Sequence, residues 1–168
     1  MQNNNIVFLI RSYNEVTRIM QVIEGIFAAG YTEILVVDDG SMDGTEELLS
    51  ELIENKKIHF VRHAANRGAG AALETGFAYI RSFWKENGWK YFVTFDADGQ
   101  HDIKDMPHFL DAFEKNKDLD IVFGSRFIIK TKTNVPLVRR MILWGGKIFT
   151  SLISGVHLTD AHNGYRMM

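Results

Sequence analysis

Short apolar runs alternate along this chain with longer stretches whose apolar residues recur at helical spacing. Ile6 to Ile10 has the length and character of a buried strand, and it ends in the polar turn Arg11-Ser12-Tyr13-Asn14-Glu15. Val16, Ile19, Met20, Ile23 and Phe27 then share one helical stripe, which Gly30 stops. Ile34 to Val37 predicts a second strand, closing on Asp38-Asp39-Gly40-Ser41. Asp43-Gly44-Thr45 opens a helix, with Asp43 or Thr45 as its cap and Glu46 and Glu47 well placed in its first turn. Leu48, Leu49, Leu52 and Ile53 are its expected buried face.

The second half repeats the pattern. Ile58 to Val61 predicts a third strand, followed by a turn rich in glycine and alanine over Arg62 to Gly70. A helix from about Ala71 to Asn87 presents Leu73, Phe77, Ile80 and Trp84 on one stripe. Tyr91 to Phe95 is aromatic and β-branched, as suits a strand covered on both faces. A helix from about Ile103 to Lys115 carries Met106, Phe109, Leu110 and Phe113, and a strand over Ile121 to Gly124 closes on Ser125-Arg126. After Pro136, Leu137 to Gly155 reads as an amphipathic helix with Arg140 and Lys147 on its polar side. Such a helix either packs on the domain surface or lies on an anionic membrane. Strands alternating with helices predict an α/β fold around a mainly parallel sheet.

Composition narrows the options. The 168 residues suit one domain, and 46% hydrophobic residues are enough for a sizeable core. A net charge of −2 supplies no basic field for nucleic acid. The absence of cysteine excludes disulfides and thiolate metal sites. Neither a signal-like leader nor a charge-free run of membrane-spanning length is visible.

The chemistry-bearing residues gather at predicted strand ends. In an α/β sheet, ligands collect at the carboxyl edge of the strands. Asp96 and Asp98 follow the Tyr91–Phe95 strand and, on extended backbone, would point the same way with Gln100. Two like charges on one side call for a cation between them, and Mg²⁺ or Mn²⁺ takes hard oxygen ligands together with substrate phosphates. The rival reading is a solvated acidic turn. Gly68-Ala69-Gly70-Ala71-Ala72-Leu73 follows the third strand rather than the first and lacks the last small residue of a dinucleotide fingerprint.

Taken in order, Ser12-Tyr13-Asn14-Glu15, Val37 to Ser41 with Asp43-Gly44-Thr45, Asn66 to Gly70, Asp96 to His101, Gly124-Ser125-Arg126, and Asp160 with Gly164-Tyr165-Arg166 resemble the family-two glycosyltransferases. Within them the nearest subgroup is the polyprenyl-phosphate sugar synthases, such as dolichyl-phosphate mannose synthases. The resemblance implies a GT-A (Rossmann-like) three-layer sandwich, a UDP- or GDP-sugar donor, a divalent cation (Mg²⁺ or Mn²⁺) and an inverting transfer. It implies nucleotide binding by Ser12, Tyr13, Glu15, Asp39, Arg67 and Ala97, with Asp39 on the base. It implies Asp96, Asp98 and Gln100 on the metal, and Arg126, Arg139 and Arg166 on phosphate. Asp98 and Asp160 are the implied catalytic residues, Asp160 beside the acceptor.

The implied acceptor is a polyprenyl phosphate; a hydroxyl acceptor, or a nucleotide-sugar-binding module without turnover, are the alternatives. A sugar-phosphate nucleotidyltransferase would need a basic glycine-rich loop after the first strand, where this chain has Ser12 to Glu15. The implied location is the cytoplasm, or the cytoplasmic face of the membrane. Arg11 stands where the family usually has proline. Family members usually continue past the position of Met168, so the expectation is a single catalytic domain over 1–168, either cut short or a minimal member.

Overall fold

The structure is a computed structural model that describes residues 5–124 and 164–168. Its centre is a six-stranded sheet. The strands are β1 (Ile6–Ser12), β2 (Glu33–Asp38), β3 (His59–Arg62), β4 (Tyr91–Asp96), β5 (Val122–Phe123) and β6 (Arg166–Met167). Their order is β3-β2-β1-β4-β6-β5, with β6 antiparallel to both of its neighbours and β1 to β4 parallel. The helices are α1 (Ile19–Ala28), α2 (Thr45–Glu54), α3 (Ala69–Asn87) and α4 (Met106–Lys115).

Side-chain alternation along β1 builds three layers. Ile6, Phe8 and Ile10 face a core shared with Ile19, Ile23 and Ile26 of α1, Leu49 of α2, and Met106, Phe109 and Phe113 of α4. Val7 and Leu9 face the opposite side, against Ala72 and Ile80 of α3 and Trp89. Helices on both faces explain why these strands read as continuous apolar runs. The mainly parallel α/β sandwich expected from the pattern is the architecture found.

Several expectations are corrected. The strand β1 extends to Ser12, because parallel pairing with β2 and β4 carries it past the apolar run. Leu48 of α2 is exposed and only Leu49 is fully buried, since a ten-residue helix turns one narrow face to the sheet. On α3, Phe77 and Trp84 are 38% and 47% exposed, while Ile80 is buried. The predicted helix from Ile103 begins instead as a short 3-10 turn, Ile103–Asp105, ahead of α4. The strand β6 had no signal beyond Gly164-Tyr165-Arg166. The predicted helix over Leu137 to Gly155 lies outside the described residues. Among the described residues no helix is long and apolar enough to cross a membrane.

Candidate active site

The strand order turns back between β1 and β4, and a crevice opens there at the carboxyl edge of the sheet. Arg11, Ser12, Tyr13 and Glu15 line it from β1 and its turn, Asp39 from β2, Asn66, Gly68, Ala69 and Ala72 from the start of α3, and Asp96, Ala97 and Asp98 from β4. The cleft holds about 280 Å³.

The two aspartates after β2 have separate tasks. Asp38 is fully buried, and its carboxylate accepts the Ser41 N–H at 3.0 Å and the Ser41 hydroxyl, while the Arg62 Nε stands 3.4 Å away. It closes the turn. Asp39, 3% exposed, turns to the cleft. Its Oδ1 accepts the Arg67 N–H at 2.9 Å and lies 2.7 Å from His63 Nδ1, and its Oδ2 accepts the Gly68 N–H at 2.7 Å. A carboxylate has about four acceptor directions, so roughly one is left for a ligand. Burial raises the Asp39 pKa, but the N–H groups of Arg67 and Gly68 and the His63 ring outweigh it, and the net shift is downward.

The rim is stitched to β1. Asn14 sits at a left-handed φ of 54°, and its side-chain oxygen accepts the Met42 N–H at 3.0 Å. The Asn14 N–H donates to Ser41 Oγ at 2.8 Å. Asp43 accepts the Val16 N–H at 2.9 Å on one oxygen and the Thr45 N–H (3.1 Å) and hydroxyl (2.6 Å) on the other, just ahead of α2, whose N-cap is Gly44 and not Asp43 or Thr45 as expected. Burial raises the Asp43 pKa as well, and these bonds reverse it to a net lowering.

Both carboxylates therefore ionise more readily folded than unfolded. The stability they add is complete above their ordinary pKa of 3.8 and is lost as pH falls through their lowered folded values. Urea melts at pH 7, 4 and 2.5 should show stability falling across the last interval, and Asp43→Asn should flatten that fall. An unchanged slope in the variant would remove Asp43 from the effect.

The turn after β4 departs from extended alternation. β4 ends at Asp96, and Ala97, Asp98 and Gly99 turn, with Gly99 at a φ of +75°. Asp98 Oδ1 accepts the Gln100 N–H at 2.9 Å, and its other oxygen has no partner among the described residues. Asp98 and Gln100 also line a neighbouring cleft beside α1, with Arg18 and His101. Asp98 thus stands between the two clefts, while Asp96 faces only the first and Gln100 only the second. Among the described residues no group of three His, Asp or Glu side chains gathers closely enough to hold a metal alone.

The structure thus brings Ser12, Tyr13, Glu15, Asp39, Asp96, Ala97 and Asp98 into one cleft. Ser12 is 3% exposed, and its hydroxyl has no partner among the described residues. Arg67 is exposed and enters through its backbone, since its side chain is not among the lining groups. Arg166 sits in β6 beside Thr94, over the Phe123 ring at 5.3 Å, and does not line the cleft. Arg126, Arg139 and Asp160 lie outside the described residues. Gly68 and Gly70 have open space where a Cβ would stand, so tight packing is not their purpose; Gly68 is required by its φ of +91° at the start of α3.

Two residues escaped the sequence reading. Buried His63 joins Asp39 to α3, where its Nε2 lies 2.8 Å from Thr75 Oγ1. A β-strand followed by His in a small-residue turn carries no signal of its own. Arg11 was read only as a departure from a family pattern; it forms an ion pair with Asp96. His101, which ends the Asp96-to-His101 motif, stacks on Tyr165 at 4.9 Å, and its Nδ1 accepts the Asp96 N–H at 3.1 Å.

Comparison with known proteins follows the same lines. The chain is similar in fold to glucosyl-3-phosphoglycerate synthase from Mycobacterium tuberculosis, solved with Mn²⁺, UDP-glucose and phosphoglyceric acid. That likeness covers 97% of this chain and 56% of the solved one, with a TM-score of 0.63 at 15% identity, and it shows a GT-A-type fold. An undecaprenyl-phosphate mannosyltransferase of Micrococcus luteus is 32% identical over 96% of this chain and 65% of its own length. A UDP-N-acetylglucosamine–dolichyl-phosphate N-acetylglucosaminyltransferase of Methanococcus voltae is 33% identical over 99% of this chain and 70% of its own. The chain spans about two thirds of the length of these curated relatives. Residues 8–168 match the family model described as glycosyl transferase family 2, and the chain belongs to that family.

Proposed function

We propose that residues 1–168 belong to one catalytic domain of an inverting glycosyltransferase, which moves a sugar from a UDP- or GDP-sugar to a polyprenyl phosphate. The observation that carries this is the cleft at the sheet's carboxyl edge in which Ser12, Asp39, Asp96 and Asp98 meet the start of α3. The names of the lipid-phosphate-using relatives support the acceptor class.

Asp39 receives the nucleobase on its remaining acceptor direction, beside Tyr13 and Glu15. Ser12 and Ala97 border the ribose, and the unpartnered Ser12 hydroxyl is a donor in need of an acceptor. The N-terminus of α3, opened by Gly68 and Ala69, presents backbone N–H groups and a partial positive charge to the diphosphate. Arg67 adds charge at the rim.

The donor set fits a hard divalent cation: the carboxylates are aspartates, and Asp98 keeps an oxygen with no partner among the described residues. Asp98 and Asp96 would hold Mg²⁺ or Mn²⁺ together with the donor's phosphates, while Gln100, expected as a third ligand, faces the neighbouring cleft. Such an ion supplies charge to offset the negative charge that grows on the departing nucleoside diphosphate. Arg126 and Arg139 are assigned to the acceptor phosphate, whereas Arg166, held over the Phe123 ring, stands outside the cleft. A phosphate acceptor is already ionised, so Asp160 orients it; a hydroxyl acceptor would need Asp160 as a base.

Thermal unfolding with a panel of UDP- and GDP-sugars, with and without Mn²⁺, tests the reading. One nucleotide series should stabilise the protein, by about 2.7 kcal/mol at 100 times its Kd, and only with metal. Transfer of labelled sugar to polyprenyl phosphate in detergent should follow. No shift with any sugar nucleotide would overturn the proposal; a shift without transfer would leave a binding module.

His63 gives a sharper check of the base site. His63→Ala removes one of three groups holding Asp39, and nucleotide affinity should fall about tenfold (~1.4 kcal/mol). His63→Asn, which restores a donor near the Nδ1 position, should recover much of it. Lower stability with unaltered affinity would assign His63 to the fold alone.

A further inference from the structure

Arg11 is the penultimate residue of β1, and its register partner on β4 is Asp96. Alternation fixes their common face. Leu9, two residues earlier, packs in the core on the α3 side, while Ile10 packs on the other. Opposite charges set side by side on neighbouring strands attract, and here they form an ion pair on the cleft wall. The pair is neither deeply buried nor freely solvated, with side chains 21% and 27% exposed. Gly164 closes over it: a Cβ there would stand 2.9 Å from Asp96 Oδ2 and 3.1 Å from Arg11 Nη2. The buried Arg11 Nε has no partner among the described residues.

We propose that Arg11 is a tethered cation that occupies Asp96 in the ligand-free protein and releases it when a nucleoside diphosphate enters, coupling metal uptake to nucleotide binding. The inference rests on the reading above that the cleft takes a metal-bound diphosphate. A guanidinium and a divalent ion compete for one carboxylate and repel each other beside it. With Asp96 engaged, Asp98 is the one of the two β4-end aspartates that offers the incoming metal an uncompensated charge. A diphosphate changes the balance, because guanidinium matches phosphate oxygens with paired N–H groups and can exchange Asp96 for them. Asp96 is then free to face the metal. Linkage requires the effect to be mutual: nucleotide tightens metal binding by the same factor that metal tightens nucleotide binding.

The test is Mn²⁺ titration followed by the EPR signal of the free ion, without nucleotide and with UDP or GDP. Arg11→Gln removes the charge while keeping a polar side chain. It should tighten Mn²⁺ binding to the nucleotide-free protein about fivefold, in line with a partly exposed pair, and shrink the further tightening by nucleotide. Arg11→Lys keeps the cation and should stay near wild type. Unchanged or weaker Mn²⁺ binding in folded Arg11→Gln overturns the proposal, since Arg11 would then only support Asp96. Should that variant fail to fold, the wild type alone decides: Mn²⁺ and nucleotide binding that are independent of one another overturn it. A wild type that takes up no Mn²⁺ with either nucleotide overturns the metal reading itself, and this proposal with it.

Discussion

Asp98→Asn is expected to abolish the metal-dependent part of nucleotide binding while leaving the fold intact. The turn should survive, because the asparagine oxygen can still accept the Gln100 N–H that Asp98 Oδ1 takes at 2.9 Å. What disappears is the negative charge. Asp96, once nucleotide has drawn Arg11 away, adds a single carboxylate, and His101 Nε2 stands 3.5 Å from its Oδ2. Two carboxylates are also few for a divalent ion, so losing one leaves the phosphates almost alone as anionic ligands. The affinity that Mn²⁺ adds for nucleotide should fall by about 100-fold or more, equivalent to ~2.7 kcal/mol. Calorimetric titration with UDP and GDP, with and without Mn²⁺, measures this directly. Equal affinities for wild type and variant in the presence of Mn²⁺ would take the metal role away from Asp98.

Gly40→Ala should give the largest loss of stability. Gly40 has a φ of +77°, in the left-handed region where a Cβ is strained. A Cβ there would also lie 2.7 Å from the Ala65 carbonyl carbon, 2.9 Å from its Cα and 2.9 Å from the Asn66 nitrogen. These are backbone atoms and cannot swing aside as a side-chain tip would. Backbone strain and overpacking together predict a cost of about 3 kcal/mol. For a chain of this size that lowers the melting temperature by roughly 6–12 °C. The loop that must yield carries Arg67 and Gly68, the two N–H donors to Asp39. Nucleotide affinity should therefore fall as well. A melting temperature within a degree of wild type would mean that the 63–68 loop gives way freely.

Much of the fold is legible in the sequence because both faces of the sheet are covered. Ile6 to Ile10, Ile34 to Val37 and Tyr91 to Phe95 are continuous apolar runs, and glycine and paired aspartates punctuate them. Burial direction on the helices is less legible. Periodicity joins Phe77, Ile80 and Trp84 in one stripe, yet only Ile80 is buried: Phe77 meets Phe92 of β4 with one side and leaves the other to solvent. The stripe is wider than the contact. The acidic strand ends stand out by residue type, but their partners do not. His63 and Arg11 become meaningful only through parallel register and the return of α3, which join residues far apart in sequence. The alternation argument at Asp96, Asp98 and Gln100 holds only to the end of β4, since Gly99 redirects the chain.

The strand β6 has a consequence for how the molecule is made. It lies between β4 and β5, and the Thr94 hydroxyl donates to the carbonyl of Gly164, 70 residues later. On the ribosome, β1 to β4 can pair early, but one flank of β4 stays open until β6 has emerged. At about 5–20 residues per second, that wait lasts several seconds. During it, the nascent chain shows an unpaired, largely aromatic strand edge to every neighbour, the kind of surface that holding chaperones cover and that aggregates when they are scarce. Biosynthetic yield should therefore respond to translation speed between Asp96 and Gly164 more than to speed anywhere earlier.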